Sequence, residues 1–162
     1  CKRRIMAKFK NLILKELGET TDTYRLRNVT MGLFPRIDPP EVDARWEFST
    51  ENYNYKVHIF NEYPEFLTVD FETDKTGTEA TNEGNPFKVT ATVIEAAKRT
   101  FDRIKEREEY DLIRGFRFKG VSKQGSDRDE TQRNKLYIAF IEKQFPSADI
   151  EKMSYGGVKV TV

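Results

Sequence analysis

The sequence predicts an α+β fold: a mixed, mostly antiparallel sheet with crossover helices, plus an amphipathic helix at the N-terminus. Three observations carry that expectation. Runs at 44–50, 55–61 and 66–73 alternate apolar and polar side chains, as strands with one buried and one wetter face do. The strongest helical periodicity, about 86–107, comes next and is itself followed by a strand-like run. A helix between two strands of one sheet makes a crossover, which returns the second strand parallel to the first in the right-handed sense.

In chain order, Ile5, Phe9, Leu12, Ile13 and Leu17 lie at helical spacing, with Lys8, Lys10, Lys15 and Glu16 largely opposite and Gly18 as a stop. That stripe reads as core or subunit contact rather than as a membrane-surface helix, because it is short and only mildly basic. Met6 is a natural place for a start, which leaves residues 1–5 as an extension or a product of processing. "TYRLRNVT", 23–30, alternates as a first strand. "FPRIDPPEVD", 34–43, holds three of the six prolines; consecutive prolines suit neither a helix nor a central strand, so this is an extended connector.

"ARWEFST", "YKVHIFN" and "FLTVDFET" then form an antiparallel meander, joined by the turn-like "TENYN" and "NEYPE". Residues 74–85 contain no apolar side chain larger than Ala and read as a loop. Asn85 is a good N-cap and Pro86 a good first helical residue, since its missing N–H has no intrahelical partner there. "YDLIRGFRFKGVS", 110–122, reads as a buried strand. After a polar loop, Ser126 or Asp127 can cap a helix running to about Gln144, with Leu136, Tyr137, Phe140 and Ile141 on one side. "GGVKVTV", 156–162, reads as the last strand. The chain divides on this reading into residues 1–43, with the N-terminal helix, strand and connector, and an α+β domain at 44–162.

Composition narrows the function classes. A chain of 162 residues is large enough for one good core, and 12 Phe, 7 Tyr and one Trp supply its bulk. Lys plus Arg is 28 and Asp plus Glu is 27, so no global charge draws the protein to nucleic acid or membrane, although a local patch could. Cys1 and His58 are the only residues of their kinds, which excludes an intramolecular disulfide and a zinc site of the Cys/His type; no metal is expected. No apolar run reaches the length of a membrane span.

The order from the meander onward resembles that of the GCN5-related N-acetyltransferases. "GNPFKVTATVI", 84–94, followed by "RNKLY", 133–137, also resembles small proteins of unknown role encoded by tailed bacteriophages. The first resemblance implies that the glycine loop and helix at 82–107 form a coenzyme-A pyrophosphate element. Gly84, Asn85, Phe87 and Lys88 would then meet the phosphates, and Tyr137 would protonate the leaving thiolate. It also implies that the strands at 66–73 and 112–120 part to admit the cofactor. The family's loop reads Arg/Gln-x-x-Gly-x-Gly/Ala, whereas Thr81 and Pro86 stand here at its first and last positions. A pyrophosphate cradle needs a row of free backbone N–H groups, and Pro86 removes one. The scaffold of the site therefore reads as vacant, with no cofactor unless the chain is an active enzyme using acetyl-coenzyme A.

The general base has three candidates on the meander: Glu47, His58 and Glu72. Each has a plainer reading as the wet face of a strand. "GSDRDET", 125–131, lacks calcium-loop spacing and suits a helix start. Arg114, Arg117 and Lys119 in "RGFRFKG" interleave with aromatics, a pattern able to stack single-stranded bases, although alternation places Phe116 and Phe118 on one face and Arg117 and Lys119 on the other. The leading expectation is a phage-encoded accessory or virion-associated protein, in the host cytoplasm or the virion. It acts by protein contact or self-association, with an acetyltransferase-like fold and no catalysis. The alternatives are an acetyl-coenzyme A-dependent N-acetyltransferase and a nucleic-acid-binding module.

Overall fold

The computed structural model describes residues 23–74, 86–118, 135, 138–153 and 157–162. It is an α+β protein with a seven-stranded, mostly antiparallel mixed sheet. The elements are β1 (Arg27–Phe34), β2 (Glu41–Ser49), β3 (Asn54–Tyr63), β4 (Phe66–Thr73), α1 (Pro86–Ile104), a short 3-10 turn (Glu108–Tyr110), β5 (Gly115–Phe118), a helix α2 described over 138–144, β6 (Asp149–Lys152) and β7 (Val158–Thr161). Their order across the sheet is β1-β2-β3-β4-β5-β7-β6.

The meander forms as its alternation predicts. Val42, Ala44, Trp46 and Phe48 of β2 are buried, and so are Tyr55, Val57 and Ile59 of β3. Register places these side chains opposite one another: Ala44 with Ile59, Trp46 with Val57, Phe48 with Tyr55. The Phe48 and Tyr55 rings stack at 4.7 Å between centroids. Near the start of β2 an Asn replaces part of the ladder: the Val42 N–H donates to Asn61 Oδ1 at 2.8 Å, and Asn61 Nδ2 donates to the Pro40 carbonyl at 2.8 Å. This coincides with the register irregularity between Phe60 and Tyr63.

Several expected boundaries move. The first strand begins at Arg27 rather than 23, and residues 23–26 are extended without strand pairing. Proline keeps only residues 35–40 out of the sheet, because β2 already starts at Glu41. The first crossover helix stops at Ile104 rather than 107, and the strand read at 110–122 starts only at Gly115, because Tyr110 belongs to the 3-10 turn. One strand, β6, was not predicted: "DIEK" has one apolar residue, Ile150, and owes its strand form to pairing with β7. The expected N-terminal helix at 5–17, the loop at 75–85 and the start of the helix before Gln144 lie outside the described residues.

Beyond the meander, β5 pairs parallel to β4, matching Leu67 with Phe116 and Val69 with Phe118. β7 is antiparallel to β5, and β6 to β7, so β6 runs parallel to β5. Both connections that carry a helix, β4 to β5 and β5 to β6, therefore step the same way along the sheet. Right-handed crossovers in one direction put their helices on one face. Phe116 shows the result: its ring meets Phe101 of α1 at 5.4 Å and Phe145, just past α2, at 5.6 Å. Gly115 is required at the start of β5, since a Cβ there would lie 1.7 Å from the Val160 carbonyl oxygen.

α1 is pinned by two threonines eight residues apart, one to the segment before β1 and one to β2. Thr92 Oγ1 donates to the Lys88 carbonyl at 2.7 Å and accepts the Tyr24 N–H at 2.9 Å. Thr100 Oγ1 donates to the Ala96 carbonyl at 2.9 Å and accepts Trp46 Nε1–H at 3.0 Å. Each hydroxyl thus bonds its own preceding turn and one group outside the helix. Among the described residues, every buried side-chain nitrogen and oxygen is hydrogen-bonded.

Thr100→Val keeps the shape but leaves the Trp46 N–H unpaired in the core. It should destabilise the fold by about 1–3 kcal/mol. In a double-mutant cycle read by urea denaturation, adding Trp46→Phe should cost less in that background than in the wild type.

Candidate functional site

Because both helices cover one face, the other face of the sheet carries no helix among the described residues. It holds the polar half of each alternating strand. Register sorts these side chains into rows. Arg27, Glu47, Lys56 and Glu72 form one row; Thr30, Arg45, His58 and Asp70 form the next. A third row crosses all seven strands: Gly32, Asp43, Phe60, Thr68, Arg117, Lys159 and Glu151.

Opposite charges face one another in most of this array, the arrangement that stabilises cross-strand neighbours. Arg27 forms an ion pair with Glu47, and Glu72 stands opposite Lys56. His58 Nε2 lies 2.7 Å from Asp43 Oδ1, one row over. Its ring stacks on Phe60 at 4.5 Å, and Arg45 Nε donates to the same Asp43 oxygen at 3.5 Å. A shallow depression of about 280 Å³ sits here, lined by Arg45, Glu47, Lys56, His58, Asp70 and Glu72 among others.

The expected general bases, Glu47, His58 and Glu72, are therefore gathered on one surface. His58 lies on the polar face, as the alternation of "KVHIF" predicts. A His–Asp pair can orient and hold a proton, but covalent catalysis also needs a nucleophile bonded to the ring. Among the described residues, no hydroxyl or thiol is bonded to His58; Ser49 Oγ donates to Asn54 and Thr68 Oγ1 to Glu62. No cluster of His, Cys, Asp and Glu among them is fit to hold a metal ion.

The remaining expected site residues lie elsewhere. Phe87 packs against the core from the first turn of α1. Lys88 holds its ammonium 4.4 Å from the centre of the Tyr24 ring, and Tyr24 stacks on Phe48 of the covered face. The described part of the anion element is thus on the helical side, with the sheet between it and His58. β4 and β5 are joined without a gap over Phe66–Val69. Gly84, Asn85, Lys119 and Tyr137 lie outside the described residues. Arg114 is 3.8 Å from Glu65, and Arg117 lies over the Tyr63 ring, its guanidinium carbon 4.2 Å from the centroid.

Sequence reasoning missed Asp43 as the partner of His58, and Lys159 as the neighbour of Arg117. The alternation of "VKVTV" signals that Lys159 faces away from the core, but only strand order shows which residues it faces. A second depression of about 520 Å³ surrounds it, and Tyr63, Phe66, Leu112, Arg117 and Met153 are among its lining residues. Among the described residues no helix is long and apolar enough to cross a membrane. No family model, curated protein or solved structure matches this chain.

Among the described titratable groups, Tyr110 is shifted by its surroundings. Burial pushes its phenol above the ordinary value; Arg107 opposes the rise and Glu109 adds to it. The hydroxyl reaches the Glu41 carbonyl at 3.5 Å. This ties the 3-10 turn after α1 to the start of β2. The unfolded chain loses the Tyr110 proton at lower pH than the folded one. Stability should therefore fall as pH rises past about 10, and Tyr110→Phe should flatten that fall in urea titrations across pH 8–11.

In the Arg27–Glu47 pair Arg27 is exposed and Glu47 half-buried, at 72% and 33% of the side-chain surface, so solvent screens it. A double-mutant cycle with Arg27→Ala and Glu47→Ala should give a coupling of about 0.2–1 kcal/mol, vanishing in 1 M sodium chloride.

Proposed function

We propose that this chain is a phage-encoded accessory or virion-associated protein that works through protein contacts. Its acetyltransferase-like arrangement serves as a scaffold without catalysis. The observation that carries this reading is the separation of the expected parts. Glu47, His58 and Glu72 lie on the uncovered face, two of them held by Arg27 and Asp43. The described anion-element residues, Phe87 and Lys88, sit on the covered face. A base must come within hydrogen-bond reach of the proton it removes, beside the bound acyl donor. The phage assignment rests on the "GNPFKVTATVI" and "RNKLY" segments.

A second reading, an acetyl-coenzyme A-dependent N-acetyltransferase, is favoured by one observation: α1 crosses from a meander strand to a parallel neighbour, β4 to β5, in the order that the resemblance implies. The two readings differ in a direct measurement. Titration of the full chain with acetyl-coenzyme A in a calorimeter should give no heat of binding, and millimolar cofactor should leave the melting temperature unchanged. Saturable binding, or a rise of several degrees, would overturn the scaffold reading in favour of the enzyme.

A further inference from the structure

We propose that the depression formed by the β3–β4 turn, β5 and β7 binds an acidic segment of a protein partner, one that places a carboxylate beside a bulky apolar side chain. The proposal rests on the reading that this chain acts through protein contacts, and it names the surface and the chemistry of the contact.

The charge pattern breaks at this place. Elsewhere on the uncovered face most charged side chains stand opposite or beside an opposite charge. Arg117 and Lys159 stand directly opposite each other across the antiparallel β5–β7 pair, where like charges repel, with Glu151 on the far side of Lys159. Neither forms an ion pair among the described residues. Each lies over an aromatic ring instead: Arg117 over Tyr63, and the Lys159 ammonium 4.4 Å from the centre of Phe66. Such contacts hold a cation in position without a carboxylate partner. Two adjacent cations, neither in an ion pair among the described residues, form a receptor for an anion, and Arg supplies the planar fork suited to a carboxylate.

The walls specify what accompanies the charge. Tyr63 is 45% exposed and Leu112 52% exposed, two of the few large apolar side chains left in solvent, and both line this depression together with Met153. Its volume, about 520 Å³, is that of a site for a few side chains. Glu65 and Glu151 are also among the lining residues; Glu65 lies beside Arg114, and Glu151 stands across from Lys159. These carboxylates repel a continuous polyanion such as a nucleic-acid backbone more than a single carboxylate placed beside Arg117. Charge complementarity thus favours an acidic, apolar peptide segment.

The test uses the ¹⁵N-labelled full chain and a hexapeptide alternating glutamate and leucine. Its lysine-for-glutamate counterpart, a 12-nucleotide single-stranded DNA and inorganic phosphate serve as comparisons. The glutamate peptide should shift the amide signals of Tyr63, Leu112, Arg117 and Lys159, with a Kd at least tenfold below that of the lysine peptide. Arg117→Glu should weaken binding at least tenfold, and Leu112→Ser at least threefold. Arg45→Glu, on the same face outside the depression, should change it less than twofold. Lys159→Gln is the milder second variant should Arg117→Glu lower the melting temperature. The proposal is overturned if the glutamate peptide causes no shifts, if its affinity is unchanged by Arg117→Glu and Lys159→Gln, if the oligonucleotide binds more tightly, or if millimolar phosphate displaces the peptide completely. Acetyl-coenzyme A binding bears on the scaffold reading, and the peptide titration bears on this surface, so the two failures are distinguishable.

Discussion

The arrangement depends on one constraint, the handedness of parallel connections. β4 to β5 and β5 to β6 are both crossovers, and both step in the same direction along the sheet. A right-handed path in each case sends α1 and α2 to the same face. That face becomes the core, built on Trp46, Phe48, Tyr55, Val57, Ile59 and Phe116. The opposite face is left to the other half of every alternating strand. The surface on which His58, Asp43, Arg117 and Lys159 meet exists because both crossovers turn the same way.

Two devices hold the layers in register. Gly115 lets β5 run against β7 where any side chain would strike the Val160 carbonyl. Thr92 and Thr100 fasten α1 to Tyr24 and Trp46 while remaining bonded to their own helix. Buried hydroxyls in a helix are costly unless satisfied, and here each does what an apolar residue could not, fixing the helix along its axis as well as against the sheet. The covered face is thus tightly specified, and the uncovered one can vary in charge at little cost to stability, since exposed pairs contribute modestly.

Much of this was legible in the residues. The meander, the first crossover helix and the strand after it follow from period-two and helical spacing, and the alternation of "KVHIF" and "RGFRF" assigned His58 and Arg117 to the polar side. What alternation could not supply was adjacency. Asp43 and His58 are 15 positions apart, and Arg117 and Lys159 are 42 apart in the numbering. Their meeting depends on strand order, and β7 lies between β5 and β6 for reasons of long-range pairing. β6 was invisible for the same reason: with one apolar residue, it is a strand only because β7 offers an edge.

The sequence alone determined the α+β class, the meander, the crossover element and the absence of a Cys/His zinc site. Local spacing and residue chemistry are enough for those. Tertiary structure alone decided that both helices share a face. It also decided that Glu47, His58 and Glu72 gather on the opposite one, and that two cations sit side by side over aromatic rings. The physical reason is that a strand's pattern says which side chains turn away from the core, while only the order and register of its neighbours say what those side chains face.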